Sequence, residues 1–379
     1  MKIGLIGRTN VGKSTLFKAL TLEDVQIEDR PFTTIDPNKG VAYLRVKCPE
    51  SEFHVKCNPH NSPCVDGVRM VPFDLIDVAG LIEGASAGKG LGNKFLSDAM
   101  EAEALIEVVD VSGKTNSSGL PAVDHYAGED VKIVENELLT WLDSIIFKSK
   151  SRLGEDITLM VSKNLSGLGI TYEHVKEIIN RLRITQITEE NARKISEEII
   201  TRIKPIIIAC NKMDSAQNLK DTMEKLKKDF KYTFIPCSAA AELTLKEAVK
   251  HGFISYNGED FKITGNLNDQ QKNALQIIKG IIDRHGGTGI DNLLNKLIFD
   301  LMGYKVVFTV EDEKHLTDGH GRVLPDAYLV PPNSTPKDVA RLIHSEIADK
   351  YKGAIDCRTN MKIRNDSSVL NGQVIKIIV

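Results

Sequence analysis

The sequence of 379 residues has little of what marks secreted, membrane-spanning or strongly polyanion-binding proteins. Six cysteines in a chain of this length exclude a disulfide-built scaffold and favour a reducing compartment. No apolar run approaches the roughly 18 residues that cross a bilayer, and the first residues lack the apolar core of a secretory signal. The 52 acidic and 49 basic residues leave a net charge of −3, which argues against binding nucleic acid over the whole surface. We therefore expect a soluble cytoplasmic protein without membrane contact, and its length suggests two or three domains at about 150 residues each.

A phosphate-binding loop is predicted near the start of the chain. An apolar run at 2–6 leads into GRTNVGKS at 7–14, which fits G-x-x-x-x-G-K-[ST], and helical spacing follows. The two glycines let backbone N–H groups turn towards phosphate oxygens, Lys13 reaches the β- and γ-phosphates, and the Ser14 hydroxyl binds magnesium. A plain glycine turn is the alternative, which the order of strand, loop and helix disfavours. The predicted nucleotide-binding residues of this segment are Gly7, Asn10, Val11, Gly12, Lys13, Ser14 and Thr15.

A second part of such a site is predicted at residues 74–80, DLIDVAG. This apolar strand ends in Asp77, a carboxylate suited to holding magnesium through water, and Gly80 can direct its N–H towards a γ-phosphate. The D-x-x-G pattern is weak alone, but its place after a phosphate-binding loop makes it informative.

The base is indicated by NKMD at residues 211–214, directly after an apolar strand. The Asp214 carboxylate can accept two hydrogen bonds from guanine, whereas adenine has a lone pair at the first of these positions and no amine at the second. A site built on such pairing discriminates by roughly 10⁴ or more. Asn211 is expected to tie this loop to the phosphate-binding loop, and the Lys212 stem to lie across the base. Ser238 and Ala239 are expected to present backbone N–H groups to the guanine carbonyl.

The segments GRTNVGKST, RPFTTIDPNKG, IDVAGLIEGASAGKGLGNKFL and NKMD, in this order, resemble the Obg-type GTPases, and among them the YchF subfamily in its archaeal or eukaryotic-like form. The resemblance covers nearly the whole chain. It implies an α/β fold, with a Ras-like P-loop NTPase domain, an inserted helical (coiled-coil) module and a C-terminal β-grasp (TGS) domain. It also implies GTP or GDP and Mg²⁺ as ligands, slow hydrolysis of GTP to GDP and phosphate, and contact with the ribosome or RNA. Thr34 matches the switch residue that closes on magnesium, so Ser14, Thr34 and Asp77 are the expected metal ligands.

Leu81 departs from the Ras-like pattern, because it stands where those proteins carry a water-orienting glutamine. Leucine cannot orient water, so hydrolysis is expected to be slow or to use another group. His125, in the loop at 113–130, is a candidate for that role, although most lone loop histidines do nothing of the kind. The catalytic candidates are Lys13, Thr34, Gly80 and His125.

Asn10 resembles an asparagine that helps to hold potassium in related GTPases. The alternative role of Asn10 is to brace the loop.

Two alternatives to a GTPase stay open. Bacterial YchF proteins replace the end of the N-K-x-D pattern and prefer ATP; this chain keeps Asp214, so we predict GTP, with ATP hydrolysis as the alternative. The other alternative is an RNA- or ribosome-binding adaptor whose nucleotide is a structural ligand, since Leu81 removes the usual water-orienting side chain. The sequence does not indicate an oligomeric state.

The spacing of the strands predicts an insertion. A helix and its loops need about 20–25 residues, but residues 111–204 separate two consecutive apolar strands. We expect the first part of the GTPase domain at 1–126, helices at 127–203, the second part with linker helices at 204–303, and the TGS domain at 304–379. In the last of these, a helix that begins near Ser334 is expected to bury Val339, Leu342, Ile343 and Ile347.

One further cluster has no place in this scheme. Cys48, Cys57 and Cys64 lie close to His54 and His60 in the sequence, and such residues can hold zinc. Because C-x-x-C pairs are missing, we expect reduced thiols on an extended hairpin rather than zinc, with redox sensing as a further alternative.

Overall fold

The structure, a computed structural model, describes residues 1–22, 39–78, 91–148 and 156–379. Thr34, Gly80 and Leu81 lie outside the described residues.

A seven-stranded sheet forms the centre of the first part of the chain, with the strand order β2-β4-β1-β5-β6-β7 and β3 paired to β4. Its strands are β1 (Lys2–Gly7), β2 (Lys39–Lys47), β3 (Cys64–Val65), β4 (Val68–Asp77), β5 (Ala104–Asp110), β6 (Ile206–Asn211) and β7 (Thr233–Pro236). The strands β4, β1, β5, β6 and β7 are parallel, whereas β2 and β3 run antiparallel to β4. The carboxyl ends of the parallel strands therefore meet at one edge, which is where ligands bind in such sheets.

Helices α1 (Lys13–Thr21) and α2 (Leu91–Glu101) follow β1 and β4 along the chain. Between β5 and β6 come α3 (Ala127–Phe147), α4 (Ile157–Leu165), α5 (Tyr172–Leu182) and α6 (Glu189–Glu198). Thr171 caps α5 and Thr188 caps α6 through their side-chain hydroxyls. Buried residues of these helices, such as Val131 and Leu138, continue the apolar core that includes Leu105 and Ile208 of the sheet.

The chain then adds α7 (Leu219–Asp229), α8 (Ala239–Lys250), the hairpin β8 (Ile254–Tyr256) and β9 (Phe261–Ile263), α9 (Asp269–His285) and α10 (Ile290–Asn295). Within the described ranges, no helix is long and apolar enough to cross a membrane.

The C-terminal part is a five-stranded sheet with the order β11-β10-β14-β12-β13. Its elements are β10 (Lys305–Val310), β11 (Asp326–Val330), α11 (Pro336–Ile343), α12 (Ser345–Asp349), β12 (Gly353–Asp356), β13 (Met361–Ile363) and β14 (Gln373–Ile378). Thr335 and Asp338 form a capping box at the start of α11, next to the helix start that the sequence predicts near Ser334. Phe308 and Leu324 of this part share an apolar core with Leu44 and Phe73 of the first sheet.

The prediction for the buried face of α11 was confirmed at Val339 and wrong at Leu342, which is 51% exposed. Ile343 is half-buried, and Ile347 is half-buried in the separate helix α12. The helix buries Pro336, Val339 and Ala340, so its buried face is centred away from Leu342. The domain boundaries stay a prediction.

Candidate functional site

The phosphate-binding loop joins β1 to α1, as the sequence predicts. Gly7 and Gly12 have φ angles of 150° and 95°, a region that L side chains rarely adopt. A Cβ atom on Gly7 would lie 2.6 Å from the Val108 carbonyl oxygen, and one on Gly12 would overlap the Asn211 amide nitrogen. Both glycines are therefore required by contacts within the protein.

Lys13 and Asp77 meet at the carboxyl edge of the sheet. The Lys13 ammonium group forms an ion pair with the Asp77 carboxylate, and both side chains are largely buried. Ser14 is exposed in the first turn of α1 and Thr15 is half-buried. A lysine, a carboxylate and a hydroxyl thus lie around the helix N-terminus, where anions bind.

Asn211 connects the NKMD segment to the phosphate-binding loop. It is buried at the end of β6, and its side-chain amide donates to the Val11 carbonyl oxygen at 2.9 Å. The Asn211 side-chain oxygen accepts from the Ala239 backbone N–H at 3.0 Å. The Asn211 side chain therefore links the NKMD segment both to the phosphate-binding loop and to the start of α8. The sequence predicts the first of these contacts.

Lys212 contacts both the phosphate-binding loop and the end of β5 at the carboxyl edge of the sheet. Its ammonium group donates to the Asn10 carbonyl oxygen at 2.8 Å and to the Asp110 carboxylate at 2.7 Å. Burial raises the pKa of Asp110, but hydrogen bonds from Lys212 and Ser112 outweigh that effect and hold the pKa below its usual value. These contacts fix the Lys212 stem beside the phosphate-binding loop. Sequence reasoning missed Asp110, although a carboxylate at the end of an apolar strand was a usable signal.

Asp214 is exposed in the turn that follows. The Ser215 hydroxyl donates to its carboxylate at 2.9 Å, and the Met213 N–H donates to the Cys237 carbonyl oxygen at 3.1 Å. The turn is thus anchored to the chain after β7, while the Asp214 carboxylate can accept further hydrogen bonds.

Ser238 and Ala239 lie at the start of α8, beside this turn. The Ser238 N–H donates to the Thr288 carbonyl oxygen at 2.8 Å, and the Ala239 N–H donates to Asn211. Both backbone N–H groups that were expected to face the guanine carbonyl thus have partners inside the protein.

A loop between β5 and α3 lies against the phosphate-binding loop. The Arg8 guanidinium donates to the Ser117 carbonyl oxygen at 2.8 Å, and the Asn10 side-chain amide donates to the Gly119 carbonyl oxygen at 2.9 Å. Asn10 therefore braces this loop, which was the alternative to potassium binding, and its side-chain oxygen is not used in that contact. The short polar segment at 113–119 gave no sequence signal of this packing.

His125 lies in the same loop with a side chain that is only 8% exposed. Its ring is within 3.3 Å of the Asp130 carboxylate and of the Ser117 hydroxyl. The geometry favours a bracing role for His125 over a role on an attacking water molecule.

Comparison with known proteins identifies three family models along the chain. Residues 2–152 match a 50S ribosome-binding GTPase model, residues 209–312 match the model "Obg-like GTPase YGR210-like, G4 motif-containing domain", and residues 320–379 match the TGS domain. The predicted P-loop and TGS parts are thereby confirmed.

Individual proteins agree with these models. The chain is 43% identical to a GTP-binding protein of Methanocaldococcus jannaschii over 99% of this chain and 98% of the relative. It is 28% identical to the ribosome-binding ATPase YchF of Buchnera aphidicola, over 73% and 75% of the two chains. The crystal structure of a GTP-binding protein from Pyrococcus horikoshii superposes with a TM-score of 0.78 at 31% identity, over 100% of this chain and 99% of that one. The chain belongs to the YchF subfamily of the Obg-type P-loop GTP-binding proteins.

Proposed function

We propose that this protein binds GTP and hydrolyses it slowly to GDP and phosphate, and that the two nucleotide states switch its contact with the ribosome. The observation that carries the proposal is the position of Asn211, which fastens the NKMD segment to the Val11 carbonyl oxygen and to Ala239. This contact supports a single site in which the Asp214 carboxylate would bind the base and the loop at 7–14 would bind the phosphates.

The base preference is proposed from Asp214. Its carboxylate is exposed next to the fixed Lys212 stem, where a base stacked on that stem would present its edge. Guanine donates two hydrogen bonds along that edge, whereas adenine would leave the carboxylate unpaired. The proposed binding set is Gly7, Asn10, Val11, Gly12, Lys13, Ser14, Thr15, Asn211, Lys212 and Asp214. Ser238 and Ala239 lie beside this set, but they are left out of it because their N–H groups already donate to Thr288 and Asn211.

The phosphate side of the site fits a magnesium–triphosphate complex. The Asp77 carboxylate and the Ser14 hydroxyl lie at the N-terminus of α1, and they are oxygen ligands of the kind that magnesium prefers. Ser14, Asp77 and Thr34 would hold the ion, which would neutralise part of the charge of the phosphates. Lys13 would exchange Asp77 for the β- and γ-phosphates and stabilise the charge that develops as water attacks. The Gly80 N–H is proposed as a donor to the γ-phosphate.

Slow hydrolysis is proposed from Leu81, which cannot orient the attacking water. His125 contacts Asp130 and would have to leave that contact to orient the attacking water in place of the missing glutamine.

Potassium is proposed as an ion that stimulates hydrolysis. It would bind the Asn10 side-chain oxygen, since the side-chain nitrogen of Asn10 already donates to Gly119. Replacing potassium by sodium should lower the hydrolysis rate; an unchanged rate would exclude this role.

Ribosome contact is proposed from the names of the relatives. A matching family model is described as ribosome-binding, and so is the Buchnera ATPase. Single-turnover GTP hydrolysis with and without ribosomes tests the switch: the proposal expects slow cleavage that ribosomes alter. No cleavage in either condition would instead support an adaptor in which nucleotide is a structural ligand.

ATP hydrolysis is the second candidate, because the Buchnera relative is named an ATPase. Competition of GTP against ATP for the one site separates the two, and preferred displacement by ATP would favour this candidate.

A further inference from the structure

Three cysteines and one glutamate converge between β2 and β4, away from the nucleotide site. Cys48 follows β2 and Cys64 begins β3, and the segment that joins them contributes Glu50 and Cys57. The three sulfur atoms and one carboxylate oxygen all lie within 4.8 Å of one another. All of these cysteines are free thiols. Four potential ligand atoms are thus gathered at one point.

The spacing of these atoms is close to that of a tetrahedral zinc site. With Zn–S distances of about 2.3 Å and Zn–O distances of about 2.0–2.2 Å, neighbouring ligand atoms lie about 3.5–3.8 Å apart. Atoms within 4.8 Å therefore need only small side-chain rotations to reach that geometry. Three thiolates select a soft or borderline ion such as zinc over magnesium or calcium, which prefer oxygen ligands.

Backbone contacts hold the joining segment in this arrangement. The Cys57 N–H donates to the Glu50 carboxylate at 3.0 Å, which orients that side chain towards the cysteines. The Cys48 N–H donates to the Gly67 carbonyl oxygen at 2.8 Å. His60 contacts the Asp326 carboxylate at 3.2 Å and is not one of the four converging residues. Glu50, which sequence reasoning missed, takes the place that the histidines were considered for.

Arg69 supplies a second, independent observation. Its side chain is fully buried, and its guanidinium contacts the Leu324 carbonyl oxygen at 2.8 Å, the Ser62 hydroxyl at 3.3 Å and the Cys48 sulfur at 3.8 Å. Among the described residues it has no ion pair with a carboxylate. A buried guanidinium needs negative charge nearby. A zinc ion on three thiolates and one carboxylate is a net anion and supplies that charge.

We propose that Cys48, Cys57, Cys64 and Glu50 bind one structural zinc ion, with Arg69 as the neighbouring cation. Each thiol releases its proton when the ion binds. The site would hold the segment between β2 and β3 against the C-terminal part of the chain, where the Asn58 N–H donates to the Val323 carbonyl oxygen at 2.9 Å, shortly before β11.

Further hydrogen bonds join the segment between β2 and β3 to the C-terminal part of the chain. The His60 N–H donates to the Pro325 carbonyl oxygen at 2.7 Å, and the Asn61 side-chain amide donates to the Ala327 carbonyl oxygen at 3.0 Å. The hairpin also leads into β4, which ends at Asp77. The proposed zinc therefore lies where the nucleotide-binding sheet and the C-terminal sheet meet.

The test uses the full chain, purified without a metal-binding tag or a chelator. Elemental analysis is expected to give about one zinc per chain, and cobalt substitution is expected to give the intense visible absorption of a tetrahedral cobalt–thiolate centre. Cys57→Ser and Glu50→Gln should lower the zinc content or weaken its retention. Cys357→Ser is the matched control, because Cys357 is half-buried but outside the cluster, and it should keep the metal.

A second measurement does not depend on whether the variants fold. Removing zinc from the wild-type protein with a strong chelator should lower its melting temperature, and adding zinc back should restore it. The proposal is overturned if zinc-supplemented protein retains no zinc after dialysis, or if all three thiols react with an alkylating reagent equally fast with and without zinc. A disulfide between two of these cysteines in freshly purified protein would also overturn it.

Discussion

Replacing Asn211 by alanine tests the contact on which the nucleotide site depends. The substitution removes the donor to the Val11 carbonyl oxygen and the acceptor for the Ala239 N–H, and all three residues are buried. Each buried polar group left without a partner costs about 1–3 kcal/mol, so the free energy of unfolding should fall by about 2–6 kcal/mol. That is a large fraction of the roughly 5–15 kcal/mol that stabilises a typical domain.

The assay is urea denaturation followed by titration of a fluorescent guanine nucleotide under folding conditions. We expect Asn211→Ala to unfold at a lower urea concentration and to bind the nucleotide at least about tenfold more weakly, since 1.4 kcal/mol already corresponds to a factor of ten. Gly12→Ala should act in the same direction, because the added Cβ would overlap the Asn211 amide. Asn333→Ala, at an exposed asparagine of the C-terminal part, is the control. If Asn211→Ala kept the wild-type midpoint and nucleotide affinity, the proposed fastening of the two loops would be wrong.

Three further substitutions follow from the structure. Lys212→Met removes the ammonium partner of the buried Asp110 carboxylate and should lower the free energy of unfolding by about 1–3 kcal/mol, measured by urea denaturation at pH 7. Burial lowers the pKa of Lys204 to about 8, below the roughly 10.4 of a free lysine, so the unfolded chain binds more protons between these values and stability should rise with pH across that window. Lys204→Met should lack this rise, and parallel pH profiles of the two proteins would contradict the assignment. His125→Ala should leave single-turnover GTP hydrolysis within about twofold of wild type while lowering thermal stability, because the ring braces Asp130 and Ser117; a loss of hydrolysis by an order of magnitude would instead make His125 catalytic.

The parts of the fold that could be predicted from sequence are those in which one local signal decides the outcome. Strand β6, which ends in Asn211, is buried at every residue and therefore gives a continuous apolar run in the sequence. Strand β4 also ends at Asp77, as the short apolar run before that residue predicts. Thr171 and Thr188 mark helix starts, because each threonine side chain accepts a hydrogen bond from the backbone N–H three residues later.

Features set by contacts between distant segments could not be predicted. The exposure of Leu342 depends on which side of α11 meets the sheet, and helical spacing alone leaves that choice open. The packing of Ser117 and Gly119 on the phosphate-binding loop joins residues that are 109 positions apart.

The same distinction applies to the two clusters of functional side chains. The role of Asn211 was readable, because N-K-x-D after a strand and a preceding G-x-x-x-x-G-K-S are both local patterns. The role of Glu50 was not, because the carboxylate joins the cysteines only through the fold of the segment after β2.

Competition binding of GTP, ATP and XTP to the wild-type protein and to Asp214→Asn tests the central claim, base selection by the Asp214 carboxylate. Xanthine carries a carbonyl oxygen where guanine carries the amine, so an amide at position 214 can donate to it. Each lost charge-assisted hydrogen bond is worth about 1.5–3 kcal/mol, so the wild type should prefer GTP over ATP by at least about 10²-fold. The variant should lose that preference and gain affinity for XTP, while Asp221→Asn, at an exposed aspartate of α7, should behave as wild type. Displacement of the bound guanine nucleotide from the wild type by ATP as readily as by GTP would contradict the account.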